Sequence, residues 1–284
     1  MPVKIPFRGG PDVPLDPALV APMSTAANPE LTGGRRVGVL VQHGFTGNPA
    51  SMRPWAEDLA ARGYAVEMPL LPGHGTRWQD LNKVTWADWV ATAEGALDKL
   101  AAENDVVVAV GLSMGGALCL RLAADHGDDL AGIVIVNAAV DTLRKDVKLL
   151  PLLKLLVPGM PGIANDIKKP GADEHGYPTT PLRAAASMFA GYADLRRDLP
   201  RITVPVLFFR SAEDHVVDIS SSRAINAGLS SKDFEERVLE DSYHVATLDN
   251  DAETIFEESA EFIERVVATG HGAPAAEPVG ESSE

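Results

Sequence analysis

The sequence predicts an α/β fold, in which a mostly parallel β-sheet carries helices on both faces and a small helical cap insertion. Three observations support this prediction. Short apolar runs alternate with stretches of helical pattern from about residue 35 to residue 267. A glycine-rich turn places one serine between a β-branched run and a run of helix formers. Residues 141–197 break the alternation and contain no clear strand.

The alternation defines the individual elements. Strands separated by helices of about 10–15 residues are typical of parallel βαβ units, whose buried strands are apolar on both faces. The predicted strands are residues 37–42, 64–68, 106–110, 133–137, 204–210 and 234–239. The predicted helices are residues 52–62, 86–101, 115–126, 182–195, 220–229 and 252–267. Gly63 directly follows the first of these helices and is typical of a helix C-terminus.

These elements divide the chain into five parts. The predicted core consists of residues 35–140 and 198–267, and the cap insertion of residues 141–197 separates its two parts. Residues 1–34 are rich in Pro and Gly and are predicted to form an extended arm, and residues 268–284 a disordered tail. Because open α/β sheets bind ligands at the carboxyl edge of their strands, we expect the cap to cover that edge.

Composition and charge exclude several function classes. The 284 residues are 45% hydrophobic, which suffices for one large core, and the formal net charge of -15 disfavours binding to nucleic acid. Cys119 is the single cysteine, so no disulfide framework is possible within one chain, and we expect a buried thiol. With no signal peptide and no long apolar run, we expect a cytoplasmic protein without stable membrane insertion.

Ser113 is the predicted nucleophile. It lies in the sequence GLSMGG, between the strand at residues 106–110 and the following helix. A sharp strand-to-helix turn presents a serine hydroxyl to the cleft at the positive end of the helix. Gly111 and Gly115 leave room for this turn, and Gly116 allows the helix to approach the neighbouring strand. The alternative interpretation is an ordinary glycine-rich turn.

The base and the acid are expected downstream of the nucleophile. A serine hydroxyl becomes a good nucleophile only when a base removes its proton, and the chain order serine, acid, histidine is typical of this architecture. His244 is the predicted base because it lies in the loop between the last strand and the last helix. Asp214 is the best placed acid, a few residues after the strand at 204–210, and Glu213 and Asp218 compete with it. His215 is expected to be structural.

Two backbone N–H groups must stabilise the oxyanion that develops during acyl transfer. Met114, the residue after the nucleophile, supplies one of them. The second is expected from the loop at residues 43–47, with the N–H of Phe45 as the candidate. In this loop the direction of the backbone matters more than the side chain, so His43 is expected to shape the turn.

Six motifs together resemble the α/β-hydrolase superfamily, and within it the bacterial monoacylglycerol lipases and the closely related short-chain carboxylesterases. The motifs are HGFTGNPASMRP, LPGHGT, GLSMGG, VNAAVD, AEDHVV and SYHVATLD. The resemblance covers the chain from about residue 39 to residue 267. It implies an α/β-hydrolase fold with Ser113 as the nucleophile, Asp214 as the acid and His244 as the base. It therefore favours Asp214 over Asp218.

The resemblance also implies roles for residues of the oxyanion hole and of the cap. Phe45 and Met114 become the oxyanion-hole donors. Glu174, in KKPGADEHGY, matches by position a cap carboxylate that helps to bind glycerol. Ile163, in PGIAND, matches an apolar cap residue beside the glycerol pocket. The cap departs most from the family pattern, because LLPLLKLLVPGMPG has no counterpart that aligns in detail.

The leucine-rich segment of the cap, residues 148–158, allows three interpretations. It could be a short helix that buries its leucines on the core, or the wall of a tunnel for an acyl chain. It could also dock on a membrane or lipid droplet, since Lys148 and Lys154 flank apolar residues. The acidic character of the whole chain disfavours strong electrostatic binding to membranes.

The implied function is that of a serine carboxylic-ester hydrolase that needs no metal or organic cofactor. Its expected substrate is a small lipid ester, best a monoacylglycerol with a short to medium acyl chain, from which fatty acid and glycerol are released. The alternatives are a general carboxylesterase without glycerol preference, a thioesterase or acyltransferase, and a catalytically silent binding module. Ser113 excludes the dehalogenases and epoxide hydrolases of this fold, which carry an aspartate at that position. The oligomeric state stays open.

Overall fold

The computed structural model describes residues 16–269, whose centre is a twisted sheet of seven strands. The strands of the described residues are β1 (Met23–Thr25), β2 (Val37–Gln42), β3 (Ala65–Met68), β4 (Val106–Leu112), β5 (Gly132–Val136), β6 (Gly159–Pro161), β7 (Thr179–Pro181), β8 (Val206–Ser211) and β9 (Phe234–Leu239). The main sheet has the order β1-β3-β2-β4-β5-β8-β9. Within this seven-stranded sheet only the pairing of β1 with β3 is antiparallel, which confirms the predicted, mostly parallel α/β sheet.

Each helix predicted from the sequence is present to within one turn at its ends. The helices of the described residues are α1 (Pro17–Val20), α2 (Arg53–Ala61), α3 (Trp78–Leu81), α4 (Trp86–Glu103), α5 (Met114–Asp125), α6 (Leu150–Leu156), α7 (Leu182–Asp198), α8 (Ile219–Gly228) and α9 (Ala252–Ala268). A capping box between Thr85 and Asp88 fixes the start of α4. Within residues 16–269, no helix combines the length and the apolar character needed to cross a membrane.

The central strands are buried because helices cover both faces of the sheet. In β4, the side chains of Val106, Val108 and Val110 belong to the core that contains α2 and α9. The side chains of Val107 and Ala109 belong to the opposite core, which contains α4 and α5. Every residue of β2, β4 and β5 is buried. Burial on both faces explains why these strands read as continuous apolar runs in the sequence.

The turn between β4 and α5 depends on three glycines. Ser113, at its tip, has φ 56° and ψ -117°. A Cβ on Gly111 would lie 2.4 Å from the backbone carbonyl of Gly115, and a Cβ on Gly115 would lie 2.1 Å from a carbonyl oxygen at the end of β2. A Cβ on Gly116 would lie 2.7 Å from the Cβ of Ala138, just beyond β5. The space-making roles predicted for these glycines are confirmed.

The described part of the predicted extended arm, residues 16–34, contains two regular elements. Asp16 caps α1 by accepting a hydrogen bond from the N–H of Ala18 at 2.9 Å. β1 then adds an antiparallel edge to the sheet through its pairing with β3. A strand of three residues is too short to show an alternation of apolar and polar side chains, so the sequence pattern did not predict it. Residues 1–15 and 270–284, with most of the predicted tail and His271, lie outside the described residues.

The cap contains a short two-stranded antiparallel sheet, formed by β6 and β7, in which Met160 lies opposite Thr180. The expectation of a cap without strands is therefore wrong. Each of these strands has three residues and ends in a proline, so neither shows a strand pattern in the sequence. α6 packs against α7 through Leu150, Leu182 and Ala185. This pair of helices forms the apolar side of the cap.

We expect Gly115→Ala to lower the free energy of unfolding by about 3 kcal/mol or more, because the added methyl group would overlap the backbone of β2. The matched control is Gly95→Ala in α4, where an added Cβ meets no packed neighbour within 4 Å. Alanine favours a helix over glycine, so this control should gain roughly 0.5–1 kcal/mol. Urea unfolding measures both variants, and similar effects of the two substitutions would contradict the packing account.

Candidate active site

A cavity of about 460 Å³ lies at the carboxyl edge of the main sheet. Residues 44–46 after β2, Ser113 after β4, Asp141 after β5, Val217 after β8 and His244 after β9 all line it. Parallel strands bring the loops at their carboxyl ends to one side of the sheet, which is where open α/β sheets bind ligands. The volume lies within the range of about 300–1,000 Å³ that is common for small-molecule sites.

The structure brings His244 and Asp214 together. The Nδ1 atom of His244 lies 2.8 Å from Oδ2 of Asp214, and each side chain is only 8% exposed. The other carboxylate oxygen, Oδ1, accepts hydrogen bonds from the N–H groups of Val216 and Val217, each at 2.8 Å. The carboxylate is therefore fixed by its own loop and orients the imidazole, with Nε2 left for another partner.

The two competing acids have other partners. Asp218 caps α8, where its carboxylate accepts a hydrogen bond from the N–H of Ser220 at 3.0 Å. Glu213 is exposed and lies 3.3 Å from Nε2 of His215. Among the hydrogen bonds of residues 16–269, neither acid contacts the imidazole of His244. The geometry thus singles out Asp214.

Burial and mutual attraction act in opposite directions on the ionisation of this pair. Burial favours the neutral form of Asp214, but the charge and hydrogen bond of His244 and two backbone amides hold its pKa below the ordinary 3.8. Burial likewise favours neutral His244, but the carboxylate of Asp214 raises the pKa of the imidazole above 6.5. The charges of Glu174 and Asp166 act in the same direction. His244 is therefore a stronger base than an isolated histidine.

Ser113 lines the same cavity as His244. The hydrogen bonds within the described chain do not include one between the hydroxyl of Ser113 and Nε2 of His244, and such contacts are often long before substrate binds. The strained backbone of Ser113 is held firmly: its N–H donates to the carbonyl of Val136 at 2.9 Å, and its carbonyl accepts from Ala117 and Ala139. The side chain is thus presented by a backbone that three neighbours fix.

Phe45 and Met114, the two candidate oxyanion donors, lie beside Ser113 in the structure. Met114 is the first residue of α5, and Phe45 lines the cavity next to Gly44. A Cβ on Gly44 would lie 3.4 Å from the Cβ of Ser113, so this loop runs directly over the serine. Within residues 16–269, neither amide has a hydrogen-bond acceptor in the protein.

His43 shapes the turn that carries Phe45. Its Nδ1 lies 3.0 Å from the carbonyl oxygen of Gly44, and its Nε2 accepts a hydrogen bond from the N–H of Leu71 at 3.2 Å. Complete burial lowers the pKa of this imidazole to about 4. A neutral ring with both nitrogen atoms engaged has a structural role, which confirms the expectation for His43.

The two predicted cap residues, Glu174 and Ile163, both line the cavity. Oε1 of Glu174 accepts a hydrogen bond from the N–H of Asn165 at 2.8 Å, and the side chain of Asn165 accepts one from the N–H of Glu174 at 2.9 Å. Burial raises the pKa of Glu174, although the amide of Asn165 and the charge of His244 oppose this. Within the described chain, no hydrogen bond engages the other carboxylate oxygen of Glu174, Oε2.

The leucine-rich segment divides between the cavity and the surface. Leu150 and Leu153 line the cavity, together with apolar side chains of α7. The leucines of this segment that are more than half exposed are Leu149, Leu152, Leu155 and Leu156. The interpretation as a helix buried on the core is therefore wrong for most of these leucines. The interpretation as a wall of an acyl-chain site fits Leu150 and Leu153.

A buried polar cluster behind the base was not predicted. The side-chain amide of Asn137 donates hydrogen bonds to the carbonyl of His244 at 2.8 Å and to the hydroxyl of Ser211 at 2.9 Å. The hydroxyl of Ser211 in turn donates to the carbonyl of Tyr243 at 2.8 Å. Asn137 directly follows β5 and Ser211 ends β8. The sequence signal that could have predicted this cluster is a polar residue at the end of a buried strand.

Asp249 ties the base loop to the cap and was likewise not predicted. Its Oδ2 accepts hydrogen bonds from the N–H groups of Tyr243 and Lys168, at 2.9 and 2.6 Å. Its Oδ1 accepts one from the N–H of Lys169 at 2.8 Å. The aspartate is buried and lies in the SYHVATLD motif, but its partners in the cap are distant in sequence. Only the folded chain reveals this role.

Two further expectations concern cysteine and metal. Cys119 is buried, as predicted, and its burial raises the pKa of the thiol. In the part of the chain that the structure describes, no group of three or more His, Cys, Asp or Glu side chains is arranged to hold a metal ion.

Comparison with known proteins places this site in a family. The family model described as serine aminopeptidase, S33, matches residues 34–251. A thermostable monoacylglycerol lipase of Bacillus sp. (strain H-257) is 40% identical over 251 residues, which are 85% of this chain and 96% of that protein. A carboxylesterase of Bacillus subtilis (strain 168) is 27% identical over 237 residues, 80% of this chain and 92% of the other.

A solved structure from the metagenome-derived lipolytic enzymes LipS and LipT is similar in fold and sequence. It superimposes with a TM-score of 0.82 at 40% identity and covers 87% of this chain and 98% of its own. The similarity therefore extends over both parts of the core and the cap between them.

We expect kcat/KM for ester hydrolysis to fall at acidic pH along a limb with its midpoint above pH 6.5. The reason is that His244 must be unprotonated to accept the proton of Ser113, and its pKa is raised above 6.5. Asp214→Asn removes the charge that raises this pKa, so the limb should move to lower pH while turnover falls by about 10⁴-fold. A pH–rate profile on a nitrophenyl ester measures both effects. A limb below pH 6.5 in the unmodified protein would contradict the assignment of the base.

Proposed function

The chain belongs to the serine aminopeptidase S33 family of α/β-hydrolases, and on this basis we propose that it is a carboxylic ester hydrolase that acts on monoacylglycerols. One observation carries the proposal: Ser113, His244 and Glu174 line a single cavity whose remaining wall is largely apolar. The similarity to a monoacylglycerol lipase supports the same substrate class. A lipid ester has a polar end and an acyl chain, which matches this division of the cavity.

In the first half of the proposed reaction, the hydroxyl oxygen of Ser113 attacks the ester carbonyl carbon while Nε2 of His244 accepts the hydroxyl proton. The negative charge that forms on the carbonyl oxygen is stabilised by the N–H groups of Phe45 and Met114. When the tetrahedral intermediate collapses, the ester C–O bond breaks and His244 protonates the leaving glycerol oxygen. An acyl group remains bound to Ser113.

In the second half, His244 accepts a proton from a water molecule, whose oxygen attacks the acyl carbonyl. The intermediate collapses with release of the fatty acid, and the proton returns to the oxygen of Ser113. Asp214 keeps Nδ1 of His244 protonated and stabilises the imidazolium in both halves. The 2.8 Å distance between Asp214 and His244 supports this role.

The two ends of the substrate are assigned to different parts of the cavity. We assign the glycerol end to Glu174, whose free carboxylate oxygen can accept a hydrogen bond from a hydroxyl group, with Ile163 beside it. The acyl chain is assigned to the wall formed by Leu150 and Leu153 of α6 and Met188 of α7. Removing an acyl chain from water favours binding by about 0.8 kcal/mol for each buried CH₂ group.

A general carboxylesterase without glycerol preference is the second candidate. The similarity to the carboxylesterase of Bacillus subtilis favours it, because the alignment covers 80% of this chain and 92% of that protein. Both candidates use the same chemistry at Ser113 and differ only in whether the glycerol end contributes binding energy.

We expect Ser113→Ala to reduce turnover by about 10⁶-fold, because the remaining groups cannot supply a nucleophile. Labelling of the unmodified protein, and not of the variant, by a fluorophosphonate probe checks that Ser113 is the activated serine. Circular dichroism and thermal unfolding serve as controls for folding. Near-normal esterase activity in the variant, or no labelling of the unmodified protein, would be incompatible with the proposal.

At a pH above the acidic limb, where the charge of Glu174 no longer affects the protonation of His244, we expect Glu174→Gln to reduce kcat/KM for a monoacylglycerol by about 10-fold and to leave a nitrophenyl ester of the same chain length nearly unchanged. The reason is that a hydrogen bond to a charged acceptor typically contributes about 1.5–3 kcal/mol, and only the glycerol ester makes one here. Asp173→Asn is the matched control, because this neighbouring carboxylate is half exposed and bonds to His175. Equal losses on the two esters, or equal rates on both in the unmodified protein, would favour the general carboxylesterase.

A further inference from the structure

We propose that Asp166 of the cap is a positioning residue for the reaction, because its single carboxylate holds the loop of the acid and the loop of the base together. The inference deepens the proposed function and rests on it. Asp166 directly follows Asn165 in the cap segment PGIAND, which also contains Ile163. It lines the cavity, yet its side chain is only 10% exposed.

The carboxylate of Asp166 contacts the backbone of the base itself and of the residue next to the acid. Its Oδ2 accepts hydrogen bonds from the N–H of His244 at 3.2 Å and from the N–H of His215 at 3.1 Å. Its Oδ1 lies 2.7 Å from Nδ1 of His215, and its carbonyl accepts a hydrogen bond from the N–H of Val245 at 3.0 Å. Since His215 directly follows Asp214, this one carboxylate fixes the spacing of the two loops.

The turn that presents Asp166 also positions the carboxylate assigned to the glycerol end. Asn165 has φ 56°, and its carbonyl accepts a hydrogen bond from the N–H of Ile167 at 2.8 Å, so the chain reverses around Asp166. The reciprocal hydrogen bonds between Asn165 and Glu174 join the same turn to the substrate site. The position of the cap is therefore coupled to the orientation of the base.

Several charged groups face these two histidines. His244 is influenced by the carboxylates of Asp214, Glu174 and Asp166, and the negative charge of Asp166 favours its protonated form. His215 faces Asp166 and Glu213, and its ring packs edge-on against that of Tyr243.

One cation of this region, Lys168, pairs with Asp241 at 2.7 Å, and its ammonium lies 5.7 Å from the centre of the Tyr243 ring. Removing the charge of Asp166 therefore leaves one fewer carboxylate to stabilise the protonated form of His244. Lys168 already has its own carboxylate partner.

The test compares Asp166→Asn and Asp166→Ala with the unmodified protein, using full pH–rate profiles on a nitrophenyl ester. Asparagine keeps an oxygen that can accept the two backbone N–H bonds but removes the charge. The matched control is Asp194→Asn on α7, an exposed cap carboxylate whose salt-bridge partner is Arg197 of the same helix. The second measurement is the titration of the His244 imidazole by NMR, which does not require turnover.

For Asp166→Asn we expect kcat to fall by about 10-fold with KM changed by less than about 2-fold, as a small displacement of the base would cause. The acidic limb and the His244 titration should both move to lower pH, by about 0.5 pH unit, which is less than a direct ion pair would give. Asp166→Ala should lose more activity, and Asp194→Asn should match the unmodified protein. Thermal unfolding shows whether the alanine variant folds, and the asparagine variant provides the test if it does not.

The outcomes separate this inference from the proposed function. An unmodified protein that hydrolyses esters, with an Asp166→Asn variant whose acidic limb, His244 titration and kcat are unchanged, would overturn the role of Asp166. A loss confined to KM would overturn it as well. An unmodified protein that hydrolyses no ester would overturn the proposed function, and the NMR titration would still report whether Asp166 acts on His244.

Discussion

The backbone conformation of Ser113 is the constraint on which the candidate site depends. A non-glycine residue held at φ 56° is strained, at a cost of about 1–3 kcal/mol, and persists only where its surroundings enforce it. Here the surroundings are the glycines on both sides of the turn, the end of β2 and the carbonyl of Val136. The same tight turn begins α5 at Met114, so the proposed nucleophile and one proposed oxyanion donor are fixed by a single feature.

Orientation of the base depends on elements that are distant in sequence and adjacent in the sheet. β5, β8 and β9 are neighbours, and the loops that follow them meet beside His244. Asn137 after β5 supports the carbonyl of His244, while Asp214 after β8 holds its ring. Because a parallel sheet places these loops at one edge, three short polar segments can share hydrogen bonds without a long loop of their own. The cap adds the remaining support through Asp166 and Asp249.

The sequence predicted the features that depend on local pattern and left out those that depend on tertiary contacts. Buried strands and amphipathic helices carry their own periodicity, and the glycines around Ser113 mark a close backbone approach, so the core and its nucleophile turn were predictable. β1, β6 and β7 have three residues each, which is too short to show the two-residue hydrophobic period of a strand. Spacing alone left Asp214 and Asp218 open, because the capping of α8 by Asp218 becomes visible only in the folded chain. Asn137, Asp166 and Asp249 were missed since their partners are far away in sequence.

The core and the cap contribute different residues to the candidate site. Ser113, Asp214 and His244 follow strands of the core, whereas Glu174, Ile163 and the apolar wall of α6 belong to the cap. If the core and the cap were independent, replacing the cap would change the substrate preference and leave the reaction of the core residues unchanged. They are not independent here, because the turn at Asn165 supports both Glu174 and the carboxylate that binds the backbone of His244. On the proposed assignments, we expect a substitution in this turn that changes the glycerol site also to move the base, which would couple specificity and turnover through a few residues of the cap.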